Sequence, residues 1–507
     1  MRALTAGIDV GTTHVKVGFF DERGGCVAAV RRATPRELPA LVHVVVRGLE
    51  ECAERAGLAP AAIGIAGMAE TGVPLDASGD ALTPLWWWND PRGAAEIAGL
   101  GLDAEALYAR TGRWADAKAP LAKWLWLRAH AGDVLRAMRW WASVPDAVAY
   151  ALTGVLRTHA TLAARTLGYS VERGDYDVEL LRLAGLGSER LPAVQAAVEP
   201  VGGVVARVRG VPAGTPVVIA GHDHAVGGWA AGVRRPGDVA DSLGTAEAVM
   251  MPAERWPEAG VGLATGVTAD PSLDGARTVL VGGLATSGAV VDWLLGLLGL
   301  LGPAPAPAPA SGASVGSGQD GTQPGPGGGA ARRAEGTGGY AALSGLLAGV
   351  RLPTGILVEP YLRGRVAPAP DRDRRMAWAG IAAGHGAGDL LAAAIEGTCL
   401  HSRWILDELT ALTGTTPERL AVFGGQVRIP LWTRVKAALS PVPVEVVRAD
   451  DAVCAGAALI AGQAGGSLDD VPVLPREHLP PDPGLGAAYQ PLYDRFRRTA
   501  RSPQEHA

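Results

Sequence analysis

The stretch that decides the fold is Ile8-Asp9-Val10-Gly11-Thr12-Thr13-His14-Val15-Lys16-Val17. Apolar residues lead to Asp9, a Gly-Thr-Thr turn follows, and apolar residues resume on the other side. This pattern predicts a β-hairpin with its tip at Gly11, Thr12 and Thr13. Backbone N–H groups and two hydroxyls at one tip suit a phosphate group, and the carboxylate of Asp9 suits Mg²⁺. An ordinary hairpin with a glycine turn is the alternative.

The size and composition of the chain favour a two-domain soluble enzyme. At 507 residues the chain is too long for one hydrophobic core, and we place the domains at residues 1–236 and 237–466, with a C-terminal tail at 467–507. The net charge of −5 gives no reason to expect nucleic acid or a membrane as a partner. The four cysteines lie far apart without metal-ligand spacing, so we expect buried thiols in a reducing, cytoplasmic compartment.

Two loops of the N-terminal half carry groups suited to a sugar-like ligand. Glu70 follows the predicted buried strand 63–67, and ligands collect beyond the carboxyl ends of strands in open α/β sheets. Trp88, Asp90 and Arg92 stand within one short segment that also holds two further tryptophans. Aromatic rings suit the apolar face of a sugar, and Asp and Arg suit its hydroxyl groups. A solvated loop and a tryptophan-rich edge of the core are the alternatives.

The acidic residue Asp223 follows a predicted buried strand, 216–220, in the sequence Gly221-His222-Asp223-His224. A carboxylate at the end of a strand is well placed to take a proton from a substrate hydroxyl. A helix N-cap is the alternative role. The flanking histidines also suggest zinc, but two histidines and one aspartate are an incomplete ligand set without a further residue. We therefore favour the general base.

Two further glycine turns are typical of phosphate sites. Gly244 and Thr245 follow a predicted strand that begins at Val239, and Gly288 opens a predicted helix. Free N–H groups at a helix N-terminus form a natural anion site. A plain glycine turn is the alternative for each.

Three other segments have distinct compositions. Residues 302–339 are mostly Pro, Ala, Gly and Ser, and this composition builds no core, so we predict a disordered surface insertion in the C-terminal domain. Residues 133–153 are predicted to form one helix. A short helix is predicted near the end of the chain, at 492–501.

Taken together, the motifs form one ordered pattern. Along the chain it comprises Asp9 to Thr13, Trp88 to Arg92, Gly221 to Asp223, Ser242 to Thr245, Pro360 to Gly364, Glu396-Gly397 and Gly424-Gly425. The pattern resembles the FGGY family of carbohydrate kinases, and the resemblance covers roughly residues 5–465 apart from the insertion. Each motif alone is weak evidence for the family, whereas a chance match of all seven in this order is not expected.

The resemblance implies an α/β fold of two actin-like (ribonuclease H-like) ATPase domains. ATP and the sugar would lie in the cleft between them, with the sugar on the side of residues 1–236 and the nucleotide on the side of 237–466. The implied activity is an ATP-dependent kinase that uses Mg²⁺ and phosphorylates a hydroxyl of a sugar, ketose or polyol. The implied site comprises Asp223 as general base, Asp9 toward Mg²⁺, Gly11, Thr12, Thr13, Gly244 and Thr245 at the phosphates, Gly288 and Gly425 at the nucleotide, and Asp90 and Arg92 at the sugar.

The chain departs from the family pattern in two places. Gln426 stands where a third glycine is usual and Ile429 where Asn or Ser is common, which leaves the contacts to the nucleotide base open. Met68-Ala69-Glu70 replaces the Met-His-Gly of xylulose kinases, which argues against xylulose as the substrate. The competing hypotheses are an actin-like ATPase and a sugar-sensing protein without kinase activity. Whether the chain forms a homodimer is also left open.

We predict that residues 302–339 are dispensable for the chemistry. Each doubling of a surface loop costs only about 0.6 kcal/mol, so a short Gly-Ser loop in place of the segment should leave the melting temperature and kcat nearly unchanged. Thermal unfolding and steady-state kinetics of the shortened chain are the measurements. A large loss of either quantity would show that the segment folds or covers the cleft.

Overall fold

The computed structural model of the protein describes residues 4–300 and 343–504. The predicted insertion at 302–339 lies outside these residues, so its disorder stays a prediction. Two large β-sheets organise the described residues, one in each half of the chain. Among the described residues, no helix is both long and apolar enough to cross a membrane.

Strands and helices alternate along the described chain. The strands are β1 (Leu4–Val10), β2 (His14–Phe20), β3 (Cys26–Ala33), β4 (Pro60–Gly67), β5 (Gly72–Leu75), β6 (Trp140–Ser143), β7 (Arg157–His159), β8 (Tyr169–Ser170), β9 (Asp175–Tyr176), β10 (Ala193–Gln195), β11 (Pro200–Gly203), β12 (Pro216–His222), β13 (Asp238–Leu243), β14 (Glu247–Ala253), β15 (Thr268–Pro271), β16 (Thr278–Leu284), β17 (Leu357–Glu359), β18 (Ala377–Ala379), β19 (Arg419–Phe423), β20 (Val444–Val447) and β21 (Arg476–Leu479). The principal helices are α1 (Leu38–Ala56), α2 (Ala94–Gly99), α3 (Ala104–Thr111), α4 (Pro120–His130), α5 (Gly132–Ala137), α6 (Val144–Thr153), α7 (Ala160–Ala163), α8 (Val178–Leu183), α9 (Asp223–Ala230), α10 (Ala259–Thr265), α11 (Gly288–Leu297), α12 (Ala387–Thr413), α13 (Pro430–Leu439), α14 (Ala452–Ala464) and α15 (Pro483–Arg501). Short 3-10 turns cover Ala164–Thr166, Ser188–Arg190 and Gly425–Arg428.

The N-terminal sheet has the strand order β11-β12-β4-β1-β2-β3. β1 and β2 pair antiparallel, with Val10 opposite Val15, which confirms the predicted hairpin. β4 runs parallel to β1, and β12 runs parallel to β4, so these three strands end at one edge of the sheet. Every residue of β1 is buried, because helices cover both faces of a sheet that contains parallel strands.

The C-terminal sheet has the strand order β15-β16-β14-β13-β19-β20-β21. β13, β14 and β16 form an antiparallel meander, while β19 and β20 continue the sheet in parallel to β13. The N-terminal sheet is built in the same way, from the meander β1-β2-β3 and the parallel strands β4 and β12. The two halves therefore repeat one topology.

The segment that we predicted as a tail, 467–507, contributes to the C-terminal sheet and core. β21 pairs antiparallel with β20. Tyr489 and Phe496 of α15 are buried in the same hydrophobic cluster as the C-terminal strands. The helix also starts at Pro483, well before the predicted start at 492.

The single helix predicted at 133–153 is wrong. Between α5 and α6 the chain forms strand β6, which pairs antiparallel with β5. Ser143, the last residue of β6, then starts α6 through a capping box with Asp146. Trp140 and Trp141 are aromatic residues that suit a strand, and their pairing with β5 overrides the helical pattern.

The cysteine prediction is confirmed for three residues and wrong for one. Cys52, Cys399 and Cys454 are buried free thiols. Cys26 is a free thiol too, but it is exposed. It stands at the first position of β3, which is an edge strand and has only one neighbouring strand.

Helix α14 comes from the C-terminal half and packs on the N-terminal sheet. The helix consists largely of small residues, and β1 and β4 present glycines to it, so the backbones approach closely. A Cβ atom on Gly7 would overlap the carbonyl oxygen of Cys454, and one on Gly64 would overlap that of Ala457. The Cys454 thiol donates to the carbonyl oxygen of Gly7, with a distance of 3.1 Å between Sγ and O.

Helix α9 makes the reciprocal contact. It begins where β12 ends and packs against β13 and β19 of the C-terminal sheet. A Cβ atom on Gly227 would overlap the ring of Phe423, and α9 meets α14 where Gly456 faces Ala230. The two helices therefore hold the halves together and bring the strand ends of both sheets to one place.

We predict that Gly64→Ala destabilises the protein and that Gly99→Ala does not. At Gly64 the new methyl group would push α14 away from β4, and overpacking of this kind costs about 1–3 kcal/mol. Gly99 is the matched control because a Cβ atom there would meet nothing within 4 Å. Differential scanning calorimetry should show a lower melting temperature for the first variant alone. Equal melting temperatures in both variants would contradict the close packing.

Candidate functional site

The edge where β1, β4 and β12 end gathers two of the predicted site residues. Asp9 lies opposite Ala66, and His222 lies opposite Gly67, across the parallel strand pairs. Asp9 and Asp223 are therefore close. Burial raises the pKa of Asp9 to about 7, and the negative charge of Asp223 adds to this effect.

Lys16 holds the carboxylate of Asp9. Its Nζ lies 3.0 Å from Asp9 Oδ2 and 2.5 Å from Asp451 Oδ2. Asp451 is the N-cap of α14, and a capping aspartate carries no signal in the sequence for a second role at a site. The other oxygen, Asp9 Oδ1, is buried and has no hydrogen-bond partner among the described residues. A buried carboxylate oxygen without a partner suits a hard cation, so these residues fit the predicted Mg²⁺.

The hairpin tip is hydrogen-bonded to the loop that contains Trp88, Asp90 and Arg92. The N–H of Gly11 donates to the carbonyl oxygen of His14, so this donor is used within the hairpin. Thr12 and Thr13 are exposed. Thr12 Oγ1 accepts a hydrogen bond from Trp88 Nε1 at 3.0 Å. The predicted phosphate-binding tip and the predicted sugar-binding loop therefore meet at this hydrogen bond.

Asp223 is the first residue of α9 and comes directly after β12. The N-cap is His222, so the alternative that Asp223 is the cap is wrong. Gly221 has a φ of 122°, which favours glycine, and it lets the chain turn from the strand into the helix. Asp223 Oδ1 lies 3.1 Å from His222 Nε2 and 3.9 Å from His224 Nε2.

The ligand atoms of His222, Asp223 and His224 lie within 4.8 Å of one another, so a metal ion is worth considering here. The group supplies only these three ligands among the described residues, which leaves it incomplete for zinc. Burial lowers the pKa of His222 well below its ordinary value, and the positive charges of Arg165 and Arg113 lower it further. His222 is therefore a neutral imidazole beside Asp223, and the incomplete ligand set agrees with our preference for Asp223 as a general base.

The Asp90–Arg92 pair forms a preorganised polar edge. Arg92 Nε lies 2.9 Å from Asp90 Oδ2, and the guanidinium carbon lies 4.2 Å from the ring centroid of Trp86 and 5.1 Å from that of Trp126. Lys123 Nζ donates to the backbone carbonyls of both members of the pair. Burial lowers the pKa of Lys123 to about 8. No motif in the sequence marks this lysine, because a single lysine in an apolar helix has no partner at a recognisable spacing.

A charged cluster surrounds Glu70 and bridges the two halves. Arg165 Nε lies 3.6 Å from Glu70 Oε1, and Arg165 Nη1 lies 4.0 Å from Asp270 Oδ2. Asp270 belongs to β15 of the C-terminal sheet and also pairs with Arg113 of the N-terminal half. Arg165, Asp270 and His222 line a cavity between the halves. No pattern in the sequence marks this cluster, because only the packing of the domains brings its members together.

The turn after β13 and the start of α11 bind each other. The N–H groups of Ser287 and Ala289 donate to the carbonyl oxygen of Thr245, and that of Gly288 donates to Gly244, at 3.0 to 3.1 Å. The prediction of free N–H groups at this helix start is therefore wrong, because the predicted phosphate turn itself occupies them. Thr245 remains exposed.

The turn after β19 packs against the turn after β13 and the start of α11. Gly424 has a φ of 113°, and a Cβ atom there would overlap the carbonyl oxygen of Leu243. Gly425 is exposed, and a Cβ atom there would meet nothing within 4 Å. The side chain of Gln426 packs against Gly288, where it occupies the space of a Cβ atom. The turn of Gly244 and Thr245, the start of α11 at Gly288 and the turn of Gly424 and Gly425 therefore lie in contact with one another.

The repeated topology and the site at the strand ends define the class of actin-like two-domain proteins. The model of the FGGY family of carbohydrate kinases, N-terminal domain, matches residues 4–229, and that of the C-terminal domain matches residues 239–465. The protein belongs to the FGGY family of carbohydrate kinases.

Relatives resemble this chain over nearly its whole length. The glycerol kinase of Gloeobacter violaceus is 27% identical and covers 91% of this chain and 88% of its own. The xylulose kinase of Escherichia coli is 26% identical and covers 97% of both chains. The crystal structure of Plasmodium falciparum glycerol kinase with ADP has the same fold, with a TM-score of 0.80 at 16% identity over 99% of both chains.

Proposed function

We propose that the protein transfers the γ-phosphoryl group of ATP to a hydroxyl of a sugar, ketose or polyol, with Asp223 as the general base. The observation that carries this proposal is the position of Asp223, partly buried at the end of β12 and close to Asp9. Phosphoryl transfer needs positioning and charge neutralisation more than covalent help from the protein. It also needs a group that accepts the hydroxyl proton, and a carboxylate serves this purpose.

The histidine beside the base supports this role. His222 Nε2 lies 3.1 Å from Asp223 Oδ1, so an imidazole stands directly beside the carboxylate. Because burial keeps His222 uncharged, it adds no positive charge that would weaken the base. His224 is oriented in turn by a hydrogen bond of 2.9 Å between its Nδ1 and Ser242 Oγ, a residue of the C-terminal sheet.

The acceptor would bind on the N-terminal side. Trp88 offers a ring face, and the Asp90–Arg92 pair offers both an acceptor and donors for hydroxyl groups. Glu70, held near Arg165, would bind a further hydroxyl. Glu70 follows β4 of the N-terminal sheet, and Trp88, Asp90 and Arg92 follow β5 of a separate two-stranded sheet, so one small molecule would bridge the two loops.

The nucleotide would bind on the C-terminal side and at the hairpin tip. The residues that we assign to its phosphates are Gly11, Thr12, Thr13, Gly244 and Thr245, and the exposed Gly425 would lie beside the nucleoside. Gly288 would act through close packing, since Gln426 fills the space beside it. Asp9 would hold Mg²⁺, which when bound neutralises charge on the phosphate oxygens.

The charges of the site favour a neutral acceptor. The carboxylates of Glu70, Asp223 and Asp270 stand against the guanidinium groups of Arg113 and Arg165. This excess of one negative charge makes a neutral sugar, ketose or polyol a better fit than a sugar acid. Relatives named as glycerol and xylulose kinases act on neutral molecules of this kind, whereas a gluconokinase, 22% identical to this chain, is named for a sugar acid, so this choice depends on the charges of the site.

Asp223→Asn tests the proposed base. The variant should still bind ATP and sugar but lower kcat by about 10²–10⁴, the usual range for acid–base catalysis. Turnover is measured with a panel of ketoses, polyols and sugar acids, and binding is measured by calorimetry. Wild-type turnover in the purified variant would remove Asp223 from this role. ATP hydrolysis by the wild type that no acceptor stimulates would favour an actin-like ATPase instead.

Asp90→Ala and Glu70→Ala test the division of the cleft. A buried polar group that loses its partner costs about 1–3 kcal/mol, so each variant should raise the KM for the sugar roughly tenfold and leave the KM for ATP unchanged. Thr245→Ala and Gly425→Leu should do the reverse. A kinetic matrix in which both substrates are varied measures these constants. Weaker ATP binding with normal sugar binding in the first two variants would mean that the two sides are assigned the wrong way round.

A further inference from the structure

We assign three turns to the nucleotide, and they are the turn of Gly244 and Thr245, the start of α11 at Gly288 and the turn of Gly424 and Gly425. The side chain of Lys436, on α13, is a buried cation next to the elements that carry these nucleotide turns. Its side chain is only 3% exposed. Its Nζ lies 2.5 Å from Asp241 Oδ2, 2.7 Å from Glu247 Oε1 and 2.7 Å from Ser402 Oγ. An ammonium group has three donors, so each of them has a partner here.

The two carboxylates flank one of the glycine turns. Asp241 lies in β13 just before Gly244 and Thr245, and Glu247 is the first residue of β14 just after them. Leu243 pairs with Glu247 across the antiparallel ladder. The ammonium group therefore ties together both strands from which this turn projects.

The same network reaches the other two turns. Glu247 Oε2 accepts a hydrogen bond of 2.6 Å from Ser287 Oγ, and the N–H of Ser287 donates to the carbonyl oxygen of Thr245. Lys436 itself stands on α13, which begins at Pro430, directly after the turn that contains Gly425. One buried cation thus connects the supports of all three turns.

The charges in this cluster depend on one another. Burial alone would lower the pKa of Lys436, but the two carboxylates outweigh burial and raise it above its ordinary value. Burial and the negative charge of Glu247 raise the pKa of Asp241 to about 7. Removal of the lysine would leave two carboxylates close together in a buried place, and they would repel each other.

We infer that Lys436 is a positioning residue that sets the relative placement of the three nucleotide turns, an inference that rests on the proposed function. The contacts of its ammonium group are with the side chains of Asp241, Glu247 and Ser402. Its effect is on the turns, so nucleotide binding depends on it and sugar binding does not. A residue that served only the stability of the C-terminal core would affect both substrates equally or neither.

Lys436→Met is the test, with Arg374→Met as the matched control. Arg374 is also a buried cation of the C-terminal half, 2% exposed and paired with Glu359, but it contacts none of the turns. Lys436→Met should raise the KM for ATP about tenfold, which corresponds to about 1.4 kcal/mol, with the KM for the sugar unchanged. Arg374→Met should lower the melting temperature and leave both KM values unchanged. An equal rise of the KM for ATP in both variants would overturn the inference.

Ser287→Ala decides the question if Lys436→Met does not fold. It removes one hydroxyl from the same network, and it should raise the KM for ATP severalfold without an effect on the sugar. An unchanged KM for ATP in this variant would overturn the inference. The dissociation constant of ATP with Mg²⁺ is also measured by calorimetry on the wild type and on every variant. A wild type that shows no turnover would count against the proposed function. The dissociation constants would still test the role of Lys436 in that case.

Discussion

The close approach of α14 to the glycines of β1 and β4 is the contact on which the rest of the structure depends. There is no room for a side chain at Gly7 or Gly64, because the backbone of the helix at Cys454 and Ala457 lies directly against them. This contact needs glycine at both positions, because a Cβ atom at either one would overlap a carbonyl oxygen of the helix. The position of the C-terminal half relative to the N-terminal sheet follows from this contact and from the reciprocal one made by α9.

The same helix also builds the site. Its N-cap, Asp451, accepts from the N–H of Cys454 at 2.8 Å and pairs with Lys16, which in turn pairs with Asp9. The start of α9 supplies Asp223, and His224 beside it reaches Ser242 of the opposite sheet. The packing of the two halves and the arrangement of the acidic groups are therefore one constraint. A change that moved α14 would alter the charge around Asp9 as well as the stability.

Several charged groups in this protein are compensated by partners from separate elements. Lys16 is shared by two carboxylates from different halves, and Lys436 is shared by two carboxylates on either side of one turn. Asp270 of the C-terminal sheet pairs with Arg113 of the N-terminal half. Breaking such a group leaves an unpaired charge in a place of low polarity, which is costly. These groups therefore favour one relative placement of the elements that they join.

The local chemistry of the chain was sufficient to predict the hairpin, the strand before Asp223 and the order of the glycine turns. Alternation of apolar residues and the freedom of glycine act over a few residues, so they are visible in the sequence. The helix predicted at 133–153 failed because β6 pairs with β5, a partner far away in the chain. The tail beyond 466 gave no sign that β21 would join the sheet, for the same reason.

The sequence by itself determined which residue types stand at the strand ends and hence the family and the chemistry that they suit. Only the tertiary structure decided how the predicted groups are used. In the folded protein, the carbonyl oxygens of Gly244 and Thr245 accept hydrogen bonds from the N–H groups at the start of α11. Arg165, Asp270 and Lys436 also come to lie around the site. These contacts join residues that are distant in the chain. They depend on how two sheets pack together, and no local pattern encodes that packing.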